Sequence, residues 1–256
     1  MLRKLFALMI LFAVSAGVQA GVTGITQTGF VLETVTVDRN GTAYVYNETD
    51  LIDVDLTAFN GASGVLLVSN GGSVPAPGSR ATLIEDNRVD TGIINPDRGG
   101  DKMSFDLATP LVNSEGADLV VFEIDPSNES GDTLRAFING IALNIASDGP
   151  VLGAVSADVY SGTTGDVDSL TELETTAFTK NSDPTQALFA YIIDLSDFGI
   201  ALGASISSFQ MGAALSGDTI DFVYVAGLPV GVVPEPASLS LLGLSSLMLI
   251  RRRRRA

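Results

Sequence analysis

Carboxylates are the most abundant groups in this chain that could do chemistry. The sequence has 30 Asp and Glu residues against 14 Lys and Arg, and it contains no histidine, cysteine or tryptophan. A Ser-His-Asp triad, a thiol nucleophile and a zinc site made of imidazole or thiolate ligands therefore cannot be built. The chemistry that remains is that of oxygen atoms, namely hydrogen bonding, calcium binding and acid–base catalysis by carboxyl groups.

Calcium is the cofactor that the spacing of the acidic residues suggests, because it takes about six to eight oxygen ligands. Three short stretches hold Asp residues close together in sequence: Asp50, Asp53 and Asp55; Asp166 and Asp168; and Asp86, Asp90 and Asp97. None of these stretches has the spacing of an EF-hand loop. Calcium binding at one of them is a hypothesis, and the alternative for each is a solvated acidic loop.

Paired carboxyl groups can also hydrolyse glycosides, if one is protonated, the other is ionised and the two lie about 5 to 10 Å apart. Spacing along this sequence does not reveal such a pair, and no tryptophan is present to stack on a sugar ring. We therefore expect no enzymatic activity. A carboxylate-based glycoside hydrolase is kept as an alternative.

Residues 1–20, MLRKLFALMILFAVSAGVQA, have the pattern of a secretory signal peptide. Two basic residues precede an apolar run from Leu5 to Val14, and small residues follow it. Val18 and Ala20 are the small residues of the cleavage site, so we predict cleavage after Ala20. The apolar run is shorter than the roughly 20 residues of a membrane-spanning helix. The secretion machinery is therefore an expected partner.

The charge of the exported part excludes nucleic acid as a partner. Residues 21–233 carry 29 of the 30 acidic residues but only 7 of the 14 basic ones, a formal net charge of −22. Such a charge repels phosphates and anionic headgroups, and it favours cations and uncharged or basic partners. Without cysteine, this part of the chain cannot be held together by disulfides.

Short β-strand patterns fill residues 21–226, and turn residues separate them. The stretches that alternate apolar with polar residues, or that stay apolar over the length of a strand, are 30–37, 42–47, 64–69, 102–108, 118–124, 134–145, 188–195, 205–215 and 218–228. DRNG and Asn139-Gly140 predict tight hairpin turns. The continuous run 118–124 predicts a strand covered on both faces.

The one stretch with helical features is 165–178, which is either a short helix capped by Asp168 or Ser169 or an acidic loop. Many short strands with at most one helix predict an all-β fold, a single β-sandwich or jelly roll spanning residues 21–226. Residues 227–233 are a Gly and Pro spacer.

The C-terminal residues 234–256 differ in character from everything before them. Residues 237–250 are apolar, and as a helix they would cover about 21 Å, less than the roughly 30 Å of a bilayer core. The basic residues that follow would stay in the cytoplasm as a stop: Arg251, Arg252, Arg253, Arg254 and Arg255. The two prolines of the preceding triplet, Pro234 and Pro236, would keep Glu235 in an extended segment outside the bilayer. A resident membrane anchor is the alternative for this tail.

The order of triplet, short Leu-rich run and arginine cluster closely resembles the PEP-CTERM sorting signal of Gram-negative bacteria. The resemblance implies that an exosortase, an integral membrane enzyme, recognises Pro234, Glu235 and Pro236 and cuts near them. It further implies a transient stay in the inner membrane, followed by a place at the cell surface or in the extracellular matrix, commonly with exopolysaccharide and biofilm. It describes how the protein is handled and leaves the function of residues 21–226 open.

Residues 91–124 have a resemblance of their own, to the central part of many PEP-CTERM surface proteins and in a general way to galactose-binding-type jelly rolls. That resemblance implies contact with carbohydrate. The function we expect is that of an exported acidic surface or matrix protein. The alternatives are a carbohydrate-binding module, with or without calcium, and the hydrolase described above.

Overall fold

The computed structural model describes a β-rich body between residues 20 and 230. The described residues are 20–58, 64–68, 76, 83–85, 87–94, 102–126, 131–162, 167–182, 185–214 and 220–230. Several predicted features lie outside them: the signal peptide before Ala20, the sorting triplet Pro234, Glu235 and Pro236, the apolar run 237–250, the arginines 251–255, and Asp86, Asp97 and Asp166.

Strands make up most of the described residues, which confirms the predicted all-β class. The strands are β1 (Gly21–Thr28), β2 (Val31–Arg39), β3 (Thr42–Asn47), β4 (Val54–Ala58), β5 (Gly64–Val68), β6 (Thr91–Ile94), β7 (Met103–Val112), β8 (Leu119–Pro126), β9 (Thr133–Ile138), β10 (Ile141–Ala146), β11 (Gly149–Gly162), β12 (Phe178–Ser182), β13 (Thr185–Ile193), β14 (Ser205–Ala213) and β15 (Phe222–Gly227). Each stretch predicted as a strand overlaps at least one of them. Strands β1, β4, β6, β11 and β12 had no predicted counterpart.

The strands form three antiparallel sheets. β1, β2 and β3 form a three-stranded sheet, and a five-stranded sheet has the order β10-β9-β14-β7-β4. The largest sheet has the order β12-β11-β13-β8-β15-β6-β5. Because β5 also pairs with β11, this large sheet closes on itself.

Two apolar cores lie on opposite faces of the large sheet. Side chains of β8 alternate between them: Val121 belongs to the core shared with the five-stranded sheet, and Val120 and Phe122 belong to the core shared with the three-stranded sheet. The large sheet is therefore the middle layer of three. This arrangement confirms the prediction that the apolar run 118–124 is covered on both faces.

Asn-Gly pairs form the two predicted hairpin turns. Asn40 and Gly41 join β2 to β3 with φ values of 55° and 81°, and Asn139 and Gly140 join β9 to β10 with 52° and 75°. Positive φ at both turn positions suits the right-handed twist of the flanking strands, and Asn followed by Gly tolerates it best. The turn at Asn139 fixes the register of β10, which matters for the candidate site below.

The stretch 165–178 contains a short helix, α1 (Leu170–Thr175). Of the two predicted caps, Ser169 is the one observed, and its hydroxyl accepts a hydrogen bond from the backbone N–H of Glu172 at 3.2 Å. Leu173 anchors the helix in the core. Within the described residues, no helix reaches the length and apolar character needed to cross a membrane.

Candidate functional site

A groove of about 220 Å³ lies at one end of the five-stranded sheet, beside the edge strand β10. Its walls come from β10, from the end of β13 and from a 3₁₀ turn at Leu195–Phe198. The lining residues that matter for its chemistry are Leu143, Asn144, Ile145, Asp194, Asp197 and Phe198. The groove therefore combines apolar walls with two acidic residues, Asp194 and Asp197.

β10 supplies one wall because it is the edge of its sheet, with β9 as its strand partner among the described residues. Its side chains alternate in exposure, so Leu143 and Ile145 are half-buried and Asn144 is exposed. The β9–β10 turn also touches the opposite wall, where Asn139 Nδ2 donates to the carbonyl oxygen of Phe198 at 3.4 Å. This bond links the two walls of the groove.

A buried carboxylate holds the start of the 3₁₀ turn in place. Asp118 is fully buried, and its Oδ2 accepts the backbone N–H of Leu195 at 2.9 Å. Its Oδ1 accepts the backbone N–H of Ser114 at 2.9 Å and the Ser114 hydroxyl at 2.8 Å. Burial raises the pKa of Asp118, and the bonds from Ser114 and Leu195 oppose that rise.

A buried carboxamide holds the end of the same turn. Asn113 Nδ2 donates to the carbonyl oxygen of Ile200 at 2.6 Å and lies 3.2 Å from the Ser196 hydroxyl. The backbone of Asn113 bonds to Ala204 and Gly203 as well. With Asp118 at one end and Asn113 at the other, the turn has a fixed position relative to the large sheet.

The two carboxyl groups of the groove belong to this turn. Asp194 caps it, with Oδ1 accepting the backbone N–H of Ser196 at 2.8 Å, and Asp197 is exposed three residues later. Burial of its carboxyl raises the pKa of Asp197, and the negative charge of Asp194 raises it further. The groove therefore holds two acidic groups that repel each other, a setting that a cation would relieve.

A second acidic group lies in the core between the large and five-stranded sheets. Glu123 on β8 is fully buried. Its Oε1 is hydrogen-bonded to the Tyr191 hydroxyl and accepts the backbone N–H of Asp132 at 2.9 Å. The Tyr191 hydroxyl also contacts the carbonyl oxygen of Asp132 at 2.9 Å. Burial raises the pKa of Glu123 to about 8, and the charges of Asp132 and Asp125 add to the rise.

Glu123 has the raised pKa of a catalytic acid, but it has no surface that a substrate could contact. The Tyr191 hydroxyl has a single hydrogen, which it can donate to the carbonyl oxygen of Asp132. Its contact with Glu123 is then a hydrogen bond only if Glu123 is protonated and donates to the oxygen of the Tyr191 hydroxyl. Such a protonated acid links β8, β13 and the start of β9. We interpret this group as part of the core.

Of the predicted calcium ligands, Asp50, Asp53 and Asp55 are exposed around the start of β4. Asp50 accepts from Asn47 Nδ2 at 2.7 Å. Asp55 lies opposite Asp106 in the β4–β7 ladder. The three residues therefore share one stretch of surface, and each carboxyl group remains open to solvent.

The remaining predicted ligands that are described lie apart from that stretch. Asp168 is exposed just before α1, and its backbone N–H donates to Glu172 Oε2 at 3.0 Å. Asp90 is fully buried and forms an ion pair with Arg88. Among the described residues, no three acidic side chains come together closely enough to hold a metal ion.

Asn144, Asp194 and Asp197 were not predicted as site residues. The sequence does carry one signal for the turn, because DLSDFG follows a strand pattern with a capping Asp and ends in Gly199, which has φ of 70°. That signal predicts a turn, but it does not place the turn beside β10. Comparison of the chain with models of known families, with curated proteins and with solved structures gives no match.

Proposed function

We propose that the chain is an exported, acidic, non-enzymatic protein of the cell surface or extracellular matrix of a Gram-negative bacterium, processed at its C-terminal signal by an exosortase-type enzyme. The observation that carries this proposal is the place of the triplet Pro234, Glu235 and Pro236, which begins six residues after Leu228, the last described core residue. A cut at the triplet would keep every residue of the two described cores. The inferred role is structural, in association with exopolysaccharide.

The N-terminal side supports the same proposal. β1 begins at Gly21, directly after the predicted cleavage site at Ala20. Gly21 pairs with Asp38 of β2, and the backbone N–H of Val22 donates to Asp148 Oδ2 at 3.0 Å. A mature chain that starts at Gly21 would therefore retain the whole of β1 and its contacts.

The proposed route places each part of the chain on one side of the inner membrane. The all-β body, for which the sequence predicts a single β-sandwich or jelly roll, is exported after the signal peptide. The short apolar run 237–250 holds the precursor in the membrane transiently, with Arg251–Arg255 in the cytoplasm. Processing then separates the acidic body from this basic end.

Replacing the triplet by alanines tests the proposal. In a Gram-negative host that carries an exosortase, we expect the wild-type protein in the medium or outer surface fraction without its arginines. The variant P234A/E235A/P236A should remain with the inner membrane at full length. Pro229→Ala, a substitution in the nearby spacer, is the matched control and should be processed normally. A triple variant that is processed like the wild type would overturn the proposal.

A carbohydrate-binding module is the second candidate, and the groove beside β10 is the observation that favours it. Proteins bind sugars with polar groups such as carboxylates that accept hydrogen bonds from ring hydroxyls, and the groove is lined by Asp194 and Asp197. A glycan array, run with and without calcium, tests this candidate. Binding of a defined glycan that is lost in Asp197→Asn would support it, and an array without any bound glycan would contradict it.

Calcium at the stretch Asp50–Asp55 remains a prediction. A ligand at 100 times its dissociation constant adds about 2.7 kcal/mol to the free energy of unfolding. If the stretch binds calcium, a chelator should therefore lower the transition temperature, and Asp53→Asn should abolish that difference. A transition temperature that calcium leaves unmoved would contradict the prediction.

A further inference from the structure

We propose that cleavage after Ala20 creates an ion pair, in which the new α-amino group of Gly21 binds the carboxyl group of Asp148 and fastens the N-terminal strand β1 to the body. The inference rests on the proposed function in one respect, the position of the signal-peptide cut. The geometry around Asp148 supports it independently.

Asp148 lies in the connection between β10 and β11, beside the start of β1. Its backbone N–H donates to the carbonyl oxygen of Ala190 on β13 at 2.7 Å, which fixes the residue against the large sheet. Its Oδ2 accepts the backbone N–H of Val22 at 3.0 Å. The side chain therefore already joins β1 to the large sheet while the peptide bond to Ala20 is intact.

The carboxyl group of Asp148 can accept a second donor. Among the described residues its hydrogen-bond partner is Val22 alone, whereas a carboxylate has about four lone-pair sites. Asp148 is exposed as a whole residue, but β1 shields its carboxyl group from water, and this burial raises its pKa, which the bond from Val22 opposes. No charged side chain of the described residues contributes to this pKa. A positive charge beside the group would offset the cost of its burial.

Rotation about one bond of Gly21 brings the new amine to Asp148. A Cβ built on Gly21 would lie 3.6 Å from Cγ of Asp148 and 3.7 Å from each of its carboxyl oxygens. Once the peptide bond to Ala20 is cut, the nitrogen of Gly21 can turn about the Cα–C bond, and a rotation of about 120° places it where that Cβ would be. At this position both oxygens are within the roughly 4 Å of an ion pair.

The surroundings of this position also favour a positive charge. Asp38 of β2 lies opposite Gly21 in the β1–β2 ladder, so a second acidic residue flanks the amine. The residues of the large sheet next to Asp148, namely Gly149 and its partner Ala190, carry no charge. The new amine would therefore meet carboxylates on β2 and on the β10–β11 connection.

The ion pair would act mainly on β1, because a strand at a chain terminus frays unless it is tied down. β1 is an edge of its sheet, with β2 as its strand partner among the described residues. The β1–β2 ladder is also irregular near its start, between Val22 and Gly24. A tie at Gly21 would hold this end of the strand in the mature protein and would be absent from the precursor.

Labelling of the α-amine tests the inference on the mature protein purified from its exporting host. N-terminal sequencing establishes the first residue, and acetic anhydride at about pH 8 then acetylates the unprotonated amine, which mass spectrometry of the N-terminal peptide measures. Because an ion pair retains the proton, labelling should be at least about threefold slower in the wild type than in Asp148→Asn. Asparagine keeps an oxygen that can accept from Val22 and removes only the charge. Equal rates in the two proteins would overturn the inference.

The matched control is Asp106→Asn, which removes an exposed carboxyl on β7, in a different sheet. Its α-amine should be labelled at the wild-type rate. A rate as high as that of Asp148→Asn would show a general effect of net charge and would also overturn the ion pair.

Melting temperatures give a second readout. The ion pair raises the pKa of the amine in the folded protein, so its stabilisation is present below the ordinary pKa of an α-amine and is lost as the pH rises through the folded value. The wild type should melt about 1 to 3 °C above Asp148→Asn at about pH 7, and the two should melt together at about pH 10. Glu123 titrates in both proteins, so its contribution cancels in the difference. A difference that is equal at both pH values would give Asp148 a purely structural role and overturn the pair.

Failure of this inference can be told from failure of the proposed function. A chain that begins at Gly21 but is labelled at one rate in wild type and Asp148→Asn contradicts the ion pair alone. A different first residue contradicts the predicted cleavage site and the ion pair with it. Retention of the C-terminal arginines contradicts the processing proposal alone.

Discussion

Replacing Glu123 by glutamine should remove a large part of the dependence of stability on pH. Glu123 is fully buried, and burial raises its pKa from 4.5 to about 8. Between these two values the folded protein keeps a proton that the unfolded chain releases. The free energy of unfolding therefore falls as the pH rises from about 4.5 to about 8, and it levels off above that.

The magnitude follows from the size of the rise. Each pKa unit corresponds to about 1.4 kcal/mol, so a rise from 4.5 to about 8 corresponds to about 5 kcal/mol of unfolding free energy. Glutamine has nearly the same shape and no charge, and its oxygen can accept from the backbone N–H of Asp132 as the carboxyl does. Glu123 Oε2 has no hydrogen-bond partner among the described residues, so the amide NH₂ adds a penalty of about 1 to 3 kcal/mol that does not vary with pH.

Urea unfolding from pH 4 to pH 9, followed by circular dichroism because the chain has no tryptophan, measures this dependence. The difference in unfolding free energy between wild type and Glu123→Gln should change by about 5 kcal/mol in favour of the variant across that range. Glu115→Gln removes an exposed carboxyl before β8 and serves as the control, with a constant difference expected. If Glu123→Gln parallels the wild type at every pH, Glu123 is not held protonated in the folded protein and the reasoning is refuted.

Two further predictions concern the backbone. Gly92→Ala should destabilise the protein by about 3 kcal/mol, because the new Cβ would lie 2.1 Å from the carbonyl oxygen of Phe222. The control is Gly24→Ala, which places its Cβ in open space and should leave the melting temperature nearly unchanged. Equal melting temperatures for the two variants would contradict the close approach of β6 and β15. Ser169→Ala should lower the unfolding free energy by about 1 kcal/mol through loss of the cap of α1, with Ser169→Asp close to wild type. A loss of the same size in the aspartate variant would argue against a capping role.

Local chemistry allowed the hairpins and the central strand to be predicted. Asn40-Gly41 and Asn139-Gly140 need no distant contact to turn the chain, because their two positions accept positive φ. The continuous apolar run of β8 likewise predicts that both faces of the strand are buried, without saying which elements bury them. The two turns and the central strand depend on residues that are adjacent in sequence, so they can be predicted from the sequence alone.

Strand β11 could not be predicted in the same way. Its sequence, GPVLGAVSADVYSG, is rich in small residues and lacks a clear alternation. It becomes a strand because β13 and β12 pair along one edge and β5 pairs along the other. Pairing with strands distant in sequence therefore overrides a weak local preference.

Both acidic sites depend on tertiary contacts in the same way. Glu123 interrupts an apolar run, and it is tolerated because the hydroxyl of Tyr191, 68 positions away in sequence, is hydrogen-bonded to it. Asp194 and Asp197 carry the local signal of a turn, but the groove exists because β10 lies beside that turn. The clusters noted in the sequence, such as Asp50 to Asp55, are close in sequence and exposed in the fold.

Intact-mass spectrometry of the mature protein, taken from a host with the exosortase system, tests the proposed function most directly. The proposal predicts a chain that begins at Gly21 and ends near Pro234, so that its mass excludes the signal peptide, the apolar run 237–250 and the arginines 251–255. A mature protein whose mass still includes Arg251–Arg255 would contradict it.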